Sequence, residues 1–267
     1  MQNLTKVIFI VIFGGILLLY YDKFGMPFVG ATDLVKKEHQ PFLNPESYSK
    51  RYIENDTGQT FEQFESIHET RSYNVYVPDN LGEGKHPAIF VFHGAMRTGA
   101  SVVERWKSNA DKHGLIIVGA HGHNRNWGKG TDIYGLIPAL VKDAKSKYPI
   151  DKDRMFMFGH SAGALYANWA TMRYPDLFVA SAIHGGALKA NKIPLKSIHD
   201  KQMPIIYILG NKDTVFSKWP IEKSARKMSK RGHDTEFVLL IEHTHWYYDL
   251  APQINNIAWD FFERHID

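Results

Sequence analysis

The 267-residue chain contains no cysteine. Disulfide bonds, a thiolate nucleophile and lipid attachment through cysteine are therefore excluded. Charge of one sign is also scarce: the net charge is only +4. No nucleic-acid-binding motif and no interleaving of aromatic with basic residues is present, so nucleic acid is not an expected partner. The charge is unevenly spread, with eleven Lys and Arg between Lys189 and Arg231 against Asp200, Asp213 and Glu222. That stretch reads first as a solvated basic face and second as a surface attractive to anionic lipid or polymer. The chain also lacks internal repeats and low-complexity tracts. Fourteen histidines invite a metal reading, with "HGH" and "HTH" the best candidates. Metal-dependent hydrolases need further Asp or His ligands at set spacings, and no such set is found, so neither metal nor cofactor is expected.

What is present is an ordinary globular composition, 44% hydrophobic and 22% charged, in a chain long enough for one full-sized domain and a little extra. The extra lies at the front. An uncharged stretch, "VIFIVIFGGILLLYY", follows Lys6 and runs from Val7 to Tyr21. It suits the apolar region of a signal peptide and is short for a spanning helix of ~20 residues. A cleaved signal peptide and a retained anchor both stand for residues 1–28, with the anchor preferred. Either implies export, and export without disulfides fits a bacterial cell envelope. Residues 29–58 are polar and aperiodic, and read as a linker or ordered extension.

From Gln59 to the end the pattern changes, and 59–267 is the candidate catalytic domain for the reasons that follow. "QTFEQFESI" and "RSYNVYVP" alternate apolar and polar residues as two antiparallel strands do. Apolar runs too continuous for half-exposed strands follow at 88–92, 115–120, 155–158, 179–183, 205–209 and 237–241. Helical stretches separate them, near 101–112, 132–147, 162–173, 220–231 and 252–265. Buried strands alternating with helices imply an α/β fold with a mostly parallel sheet covered on both faces.

In such sheets functional residues gather beyond the carboxyl ends of the strands. There the run "MFMFGHSAGALYA" holds Gly159-His160-Ser161-Ala162-Gly163 between a strand and a small-residue helix. This is the setting of a nucleophile elbow, in which a sharp turn lifts a serine hydroxyl to the amino end of the helix. A serine needs a base and an acid to orient that base, and in this layout they follow in the order Ser, Asp, His. Asp213 follows the strand at 205–209. His243 and His245 follow the last strand, and His245 is preferred because a base sits a short turn beyond the strand end. An oxyanion hole is expected from the backbone N–H of Ala162 and of Ala95, with Met96 as the alternative to Ala95. His121, His123, Asn124, Trp127 and His184 lie after strands and are candidates for pocket lining.

Residues 70 to 265 resemble the polyhydroxybutyrate-depolymerase-like and feruloyl-esterase-like branch of the α/β-hydrolase superfamily. The resemblance rests on "RSYNVYVP", "HPAIFVFHG", "GLIIVGAHG", "LGNKDTVF" and "HTHWYYDLAPQINNIAWDFF". Its most specific part is "YPIDKDRMFMFGHSAGALYANWATMRYPDLFVASAIHGG". The resemblance implies an α/β-hydrolase fold and a serine esterase in which Ser161, Asp213 and His245 act through an acyl-enzyme. The chain departs from the family in having Gly163-Ala164 where Gly-Gly is frequent, and in lacking the cysteines common among secreted members. About twenty residues separate the strand ending near His184 from that starting at Ile205, too few for a lid domain, which suits small-molecule or polymeric esters. A peptidase using the same three residues is the nearest alternative. A non-catalytic binding protein of the envelope is the more distant one, and the loss of a triad residue that would mark it is not seen.

Overall fold

Side chains along a strand point alternately to the two faces of its sheet, and here each apolar run divides its residues between two cores. In the strand His86–Phe92, Ala88, Phe90 and Phe92 enter one core and Ile89 and Val91 the other. In Ile205–Gly210, Ile205, Tyr207 and Leu209 pack on the first face, Ile206 and Ile208 on the second. A strand with both faces dry has no position left for a polar residue, so its sequence is continuously apolar.

The computed structural model describes residues 9–12, 15–18, 32–41, 54–67, 69–127, 135–194 and 199–266. Two short strands, β1 (Phe9–Ile12) and β2 (Gly15–Leu18), pair antiparallel with each other. The rest of residues 1–31 lies outside the described residues, and with it most of the segment read as signal peptide or anchor. No described helix is long and apolar enough to cross a membrane.

The main sheet has nine strands: β3 (Val35–His39), β4 (Thr60–Glu65), β5 (Thr70–Tyr76), β6 (His86–Phe92), β7 (Ile116–Ala120), β8 (Ile150–His160), β9 (Ala180–His184), β10 (Ile205–Gly210) and β11 (Thr235–Leu240). Their spatial order is β3-β11-β10-β9-β8-β6-β7-β5-β4. β5 pairs antiparallel with β4 and β7, and every other pairing is parallel. The continuous apolar runs of the sequence are thus the parallel strands, and the two alternating segments are the antiparallel pair at one edge.

Helices α1 (Gly99–His113) and α5 (Ala251–Glu263) cover one face, where Trp106, Ile254, Trp259 and Phe262 are buried. α2 (Leu136–Lys147), α3 (Ala162–Arg173) and α4 (Lys218–Ser229) cover the other, through Leu140, Ala167 and Ala225 among others. Expectation and structure differ by one to four residues at most helix ends. The strand expected at 155–158 runs on at both ends, from Ile150 to His160.

The segment 29–58 contributes more than a connection, because β3 lies within it and adds to the sheet parallel to β11. All five β3 residues are exposed. The strand is held by its backbone ladder, by ion pairs Lys36–Glu222 and Lys37–Glu236, and by the Thr32 hydroxyl donating to the carbonyl of His233.

Trp106 is fully buried, with its ring edge-to-face on Phe158 at 5.3 Å. Replacing it with alanine removes a whole indole from the core between α1 and the sheet. Trp106→Ala is expected to lower the unfolding free energy by about 3–5 kcal/mol, read from urea denaturation. A loss below about 1 kcal/mol would mean that the core on this face closes around the gap.

Candidate active site

The run "GHSAG" makes its turn with two glycines whose missing side chains are filled by backbone. A Cβ on Gly159 would stand 2.4 Å from the carbonyl oxygen of Gly163, and a Cβ on Gly163 would stand 2.1 Å from that of Phe92. Only glycine lets β8, α3 and β6 approach this closely. Ser161 between them adopts φ 54°, ψ −116°, a conformation that costs a non-glycine residue of order 1–3 kcal/mol. Its N–H donates to the carbonyl of His184 at the end of β9 (2.9 Å), and its own carbonyl accepts from Ala164 and Leu165 in the first turn of α3.

Ser161 Oγ lies 3.0 Å from His245 Nε2, and His245 Nδ1 lies 2.8 Å from Asp213 Oδ2. Asp213 Oδ1 accepts from the backbone N–H groups of Val215 and Phe216, both at 2.8 Å. The turns after β10 and β11 are tied to each other as well. The N–H of Lys212 donates to the carbonyl of His243, and that of Glu242 to Asn211 Oδ1. A Cβ on Gly210 would meet the His243 carbonyl oxygen at 2.2 Å, so the two turns are in direct backbone contact. The Phe216 ring stacks on His245, centroids 5.7 Å apart. Burial pushes the Asp213 carboxyl upward, but the hydrogen bond from His245 and the two backbone donors outweigh it, and the net is below the usual carboxylate value. With Nδ1–H held by Asp213, Nε2 is left bare toward the serine, the tautomer a general base requires.

The sequence leaves Ala95 and Met96 as alternative oxyanion donors. The Met96 N–H already donates to the carbonyl of Arg125 at 2.8 Å. Ala95 is exposed in the loop after β6, and Ala162 is the first residue of α3. The loop bearing Ala95 is fixed by the fully buried His93. His93 Nδ1–H donates to the carbonyl of Gly94 (2.7 Å), and its Nε2 accepts the N–H of Gly122 (2.9 Å). Burial drives its proton affinity down to about 3, so this ring stays neutral. Met96, Asn124 and Arg125 all have positive φ, and the two loops clip together at these strained residues.

The remaining candidates separate. Trp127 donates its indole N–H to the carbonyl of His93 (2.7 Å) and stacks on Tyr166, centroids 4.9 Å apart. His121 pairs with Asn74 Oδ1 at 2.7 Å, whereas His123 lies near Glu69 on the surface. His184 is fully buried. His243 is also buried, its Nε2 3.2 Å from that of His184, behind the site rather than in it. Sequence reasoning missed this interior cluster of histidines. Its one signal was a histidine at or just past the end of each of three strands, at 160, 184 and 243. Among the described residues no group of His, Cys, Asp or Glu side chains is disposed to hold a metal ion.

Burial lowers the proton affinity of His121, His233 and His243 to about 4, of His93 to about 3, and of His160 and His184 well below the ordinary value. These rings are neutral in the fold but take up protons near pH 6.5 once unfolded. Their contribution is therefore complete above about pH 6.5 and is lost as pH falls towards about 4. Urea unfolding at pH 7.5 and pH 5 should show the protein markedly less stable at pH 5, with net proton uptake on unfolding. Equal stability at the two values would contradict this.

The family model described as the prolyl oligopeptidase family matches residues 122–192. The chain is 32% identical over 131 residues to feruloyl esterase B of Neurospora crassa, a match covering 43% of this chain and 44% of that one. It is 29% identical over 136 residues to poly(3-hydroxyalkanoate) depolymerase C of Paucimonas lemoignei, covering 42% and 33%. The chain thus spans less than half the length of these curated relatives. In structure it is similar to an acetyl xylan esterase from Aspergillus awamori, with a TM-score of 0.63 at 14% identity, covering 76% of this chain and 99% of that one. The fold is that of the α/β-hydrolases, and in sequence the chain is similar to carboxylic ester hydrolases of that fold.

Proposed function

We propose that the chain is a serine hydrolase of carboxylic esters, with Ser161 as nucleophile, His245 as base and Asp213 as the acid that orients it. The observation that carries this reading is the continuous contact Ser161 Oγ–His245 Nε2–His245 Nδ1–Asp213 Oδ2, at 3.0 and 2.8 Å. As Ser161 Oγ attacks the ester carbonyl, its proton passes to His245 Nε2. The resulting imidazolium is stabilised by Asp213, and the negative charge on the former carbonyl oxygen by the N–H groups of Ala162 and Ala95. His245 then gives its proton to the departing alcohol, leaving an acyl-Ser161. Water attacks that ester through the same base, releasing the acid and restoring the serine.

The relatives' names and the open setting support the substrate class. Between β9 and β10 the described residues hold only a short 3-10 turn, Ala190–Lys192, and no lid. Met96, in the loop after β6, and Val215, two residues past Asp213, stand exposed, as does Trp219 in the first turn of α4. Soluble or polymer-linked esters suit such a site better than lipid chains that need enclosure. The family match at 122–192 favours a peptidase as the second reading, since both reactions proceed through an acyl-enzyme. We further propose that residues 1–28 export the chain to the bacterial envelope and retain it there, with 29–58 as an extension that carries β3 into the sheet of the catalytic domain.

A fluorophosphonate probe should label the protein in the presence of a chelator, and Ser161→Ala should abolish labelling. On a water-soluble aryl ester His245→Ala should lose about 10⁴-fold or more in kcat, and Asp213→Asn about 10³–10⁴-fold. Feruloyl and acetyl esters should be cleaved faster than peptides or micellar triglycerides. Faster peptide cleavage would replace the esterase by the peptidase, and a folded, unlabelled protein would favour a binding role. Fractionation of cells expressing the full chain should recover it with the envelope membranes, and recovery in the cytosol would overturn the export proposal.

A further inference from the structure

Three histidines outside the triad connect its parts. His160 ends β8 directly before Ser161, His184 ends β9, and His243 follows β11 two residues before His245. His160 Nδ1 and His184 Nδ1 are 2.9 Å apart, and His184 Nε2 and His243 Nε2 3.2 Å. All three rings are buried. A neutral imidazole has one N–H and one bare nitrogen, so both contacts are satisfied only if the N–H groups run in one direction. Either His160 donates to His184 and His184 to His243, or both bonds reverse. His184 therefore acts as donor and acceptor at once in either arrangement.

The surroundings place the chain of rings against the reacting groups. His160 stacks on Tyr247 (5.2 Å between centroids), meets Tyr248 edge-on, and lies 5.2 Å from the His245 ring. A Cβ on Gly94 would stand 3.1 Å from His160 Cδ2 and 3.4 Å from Ser161 Cβ, so the far edge of the His160 ring lies against the oxyanion loop. The charged and titratable groups facing the cluster are Arg97, Asp213, His245, Tyr247 and Tyr248. Arg97 and a charged His245 oppose protonation of His160, and Asp213 favours it only at His243.

We propose that His184 is a positioning residue. Its two hydrogen bonds hold the nucleophile's strand end, the oxyanion loop and the base's turn in register, and keep a neutral ring beside His245 when that base takes the serine proton. This rests on the serine-hydrolase reading. It is supported by the Ser161 N–H, which donates to the backbone carbonyl of the same His184, so that main chain and side chain brace the elbow together. Burial, which disfavours the charged form of all three rings, is consistent with a neutral array.

The test compares the full chain with His184→Leu, which fills the space without hydrogen bonds, and His184→Gln, whose amide both donates and accepts. The parent should show hydrogen-bonded imidazole N–H protons far downfield in its proton NMR spectrum. His184→Leu should lose the two that belong to the His160–His184–His243 array while keeping those of His245 and His93, and its kcat and fluorophosphonate labelling rate should fall about 10- to 100-fold, with KM little changed. His184→Gln should recover most of that loss. Parental rates in a folded His184→Leu, or equal losses in both variants at matched melting temperatures, overturn the proposal. If His184→Leu does not fold, His243→Leu breaks the distal bond only: a reduced kcat at unchanged KM supports the array, and a parental kcat overturns it. A parent that fails to react with the probe removes the hydrolase reading and the positioning role together. A reactive parent with an equally reactive His184→Leu removes the positioning role alone.

Discussion

One backbone residue is held in a conformation it would not adopt alone, and the rest of the site is arranged around it. Ser161 sits at φ 54°, ψ −116° because β8 must end and α3 begin with no intervening loop. The cost is met by contacts that exist only when the whole sheet is assembled: the Ser161 N–H on β9, the Gly163 backbone against β6, and the Gly159 backbone against α3. Strain of this kind persists only where its surroundings over-determine it. The serine hydroxyl is therefore presented by the packing of three strands and a helix, not by its own turn.

Electrostatics at the site follow from the same packing. A mostly parallel sheet covered on both faces buries the carboxyl ends of its central strands, and the histidines placed there are driven to the neutral state. Asp213 escapes that fate because three donors converge on its carboxylate. The result is one anion and several neutral imidazoles within a few ångströms, and a bare Nε2 directed at the serine. His93 applies the same economy on the opposite side, using a neutral ring as donor and acceptor to fix the loop of Ala95.

Much of this could be read from the amino-acid order because both faces of the sheet are covered. Continuous apolar runs mark strands whose ends are defined by the first polar residues, so Ser161, Asp213 and His245 stand out as residues at strand exits. The choice of His245 over His243 turns on a two-residue difference in reach, and the structure sets His245 against Ser161 and His243 behind it. Strand β3 was not legible. "VKKEH" has neither alternation nor apolar content, and its partners Glu222 and Glu236 lie about 190 residues away in sequence. The strained Met96, Asn124 and Arg125 were equally silent, since nothing but glycine advertises positive φ in a sequence.

Strand β3 has a mechanical meaning. It is the first strand of the main sheet, it lies at the edge, and it runs parallel to β11. Tension applied at the amino end along that strand reaches the body of the protein as shear across the β3–β11 ladder, where the hydrogen bonds share the load instead of opening one by one. The loaded partner, β11, leads directly into the turn that bears His245. A tether at the front of this chain would thus pull first on the Thr32 contacts and then, through this ladder, on the frame of the base.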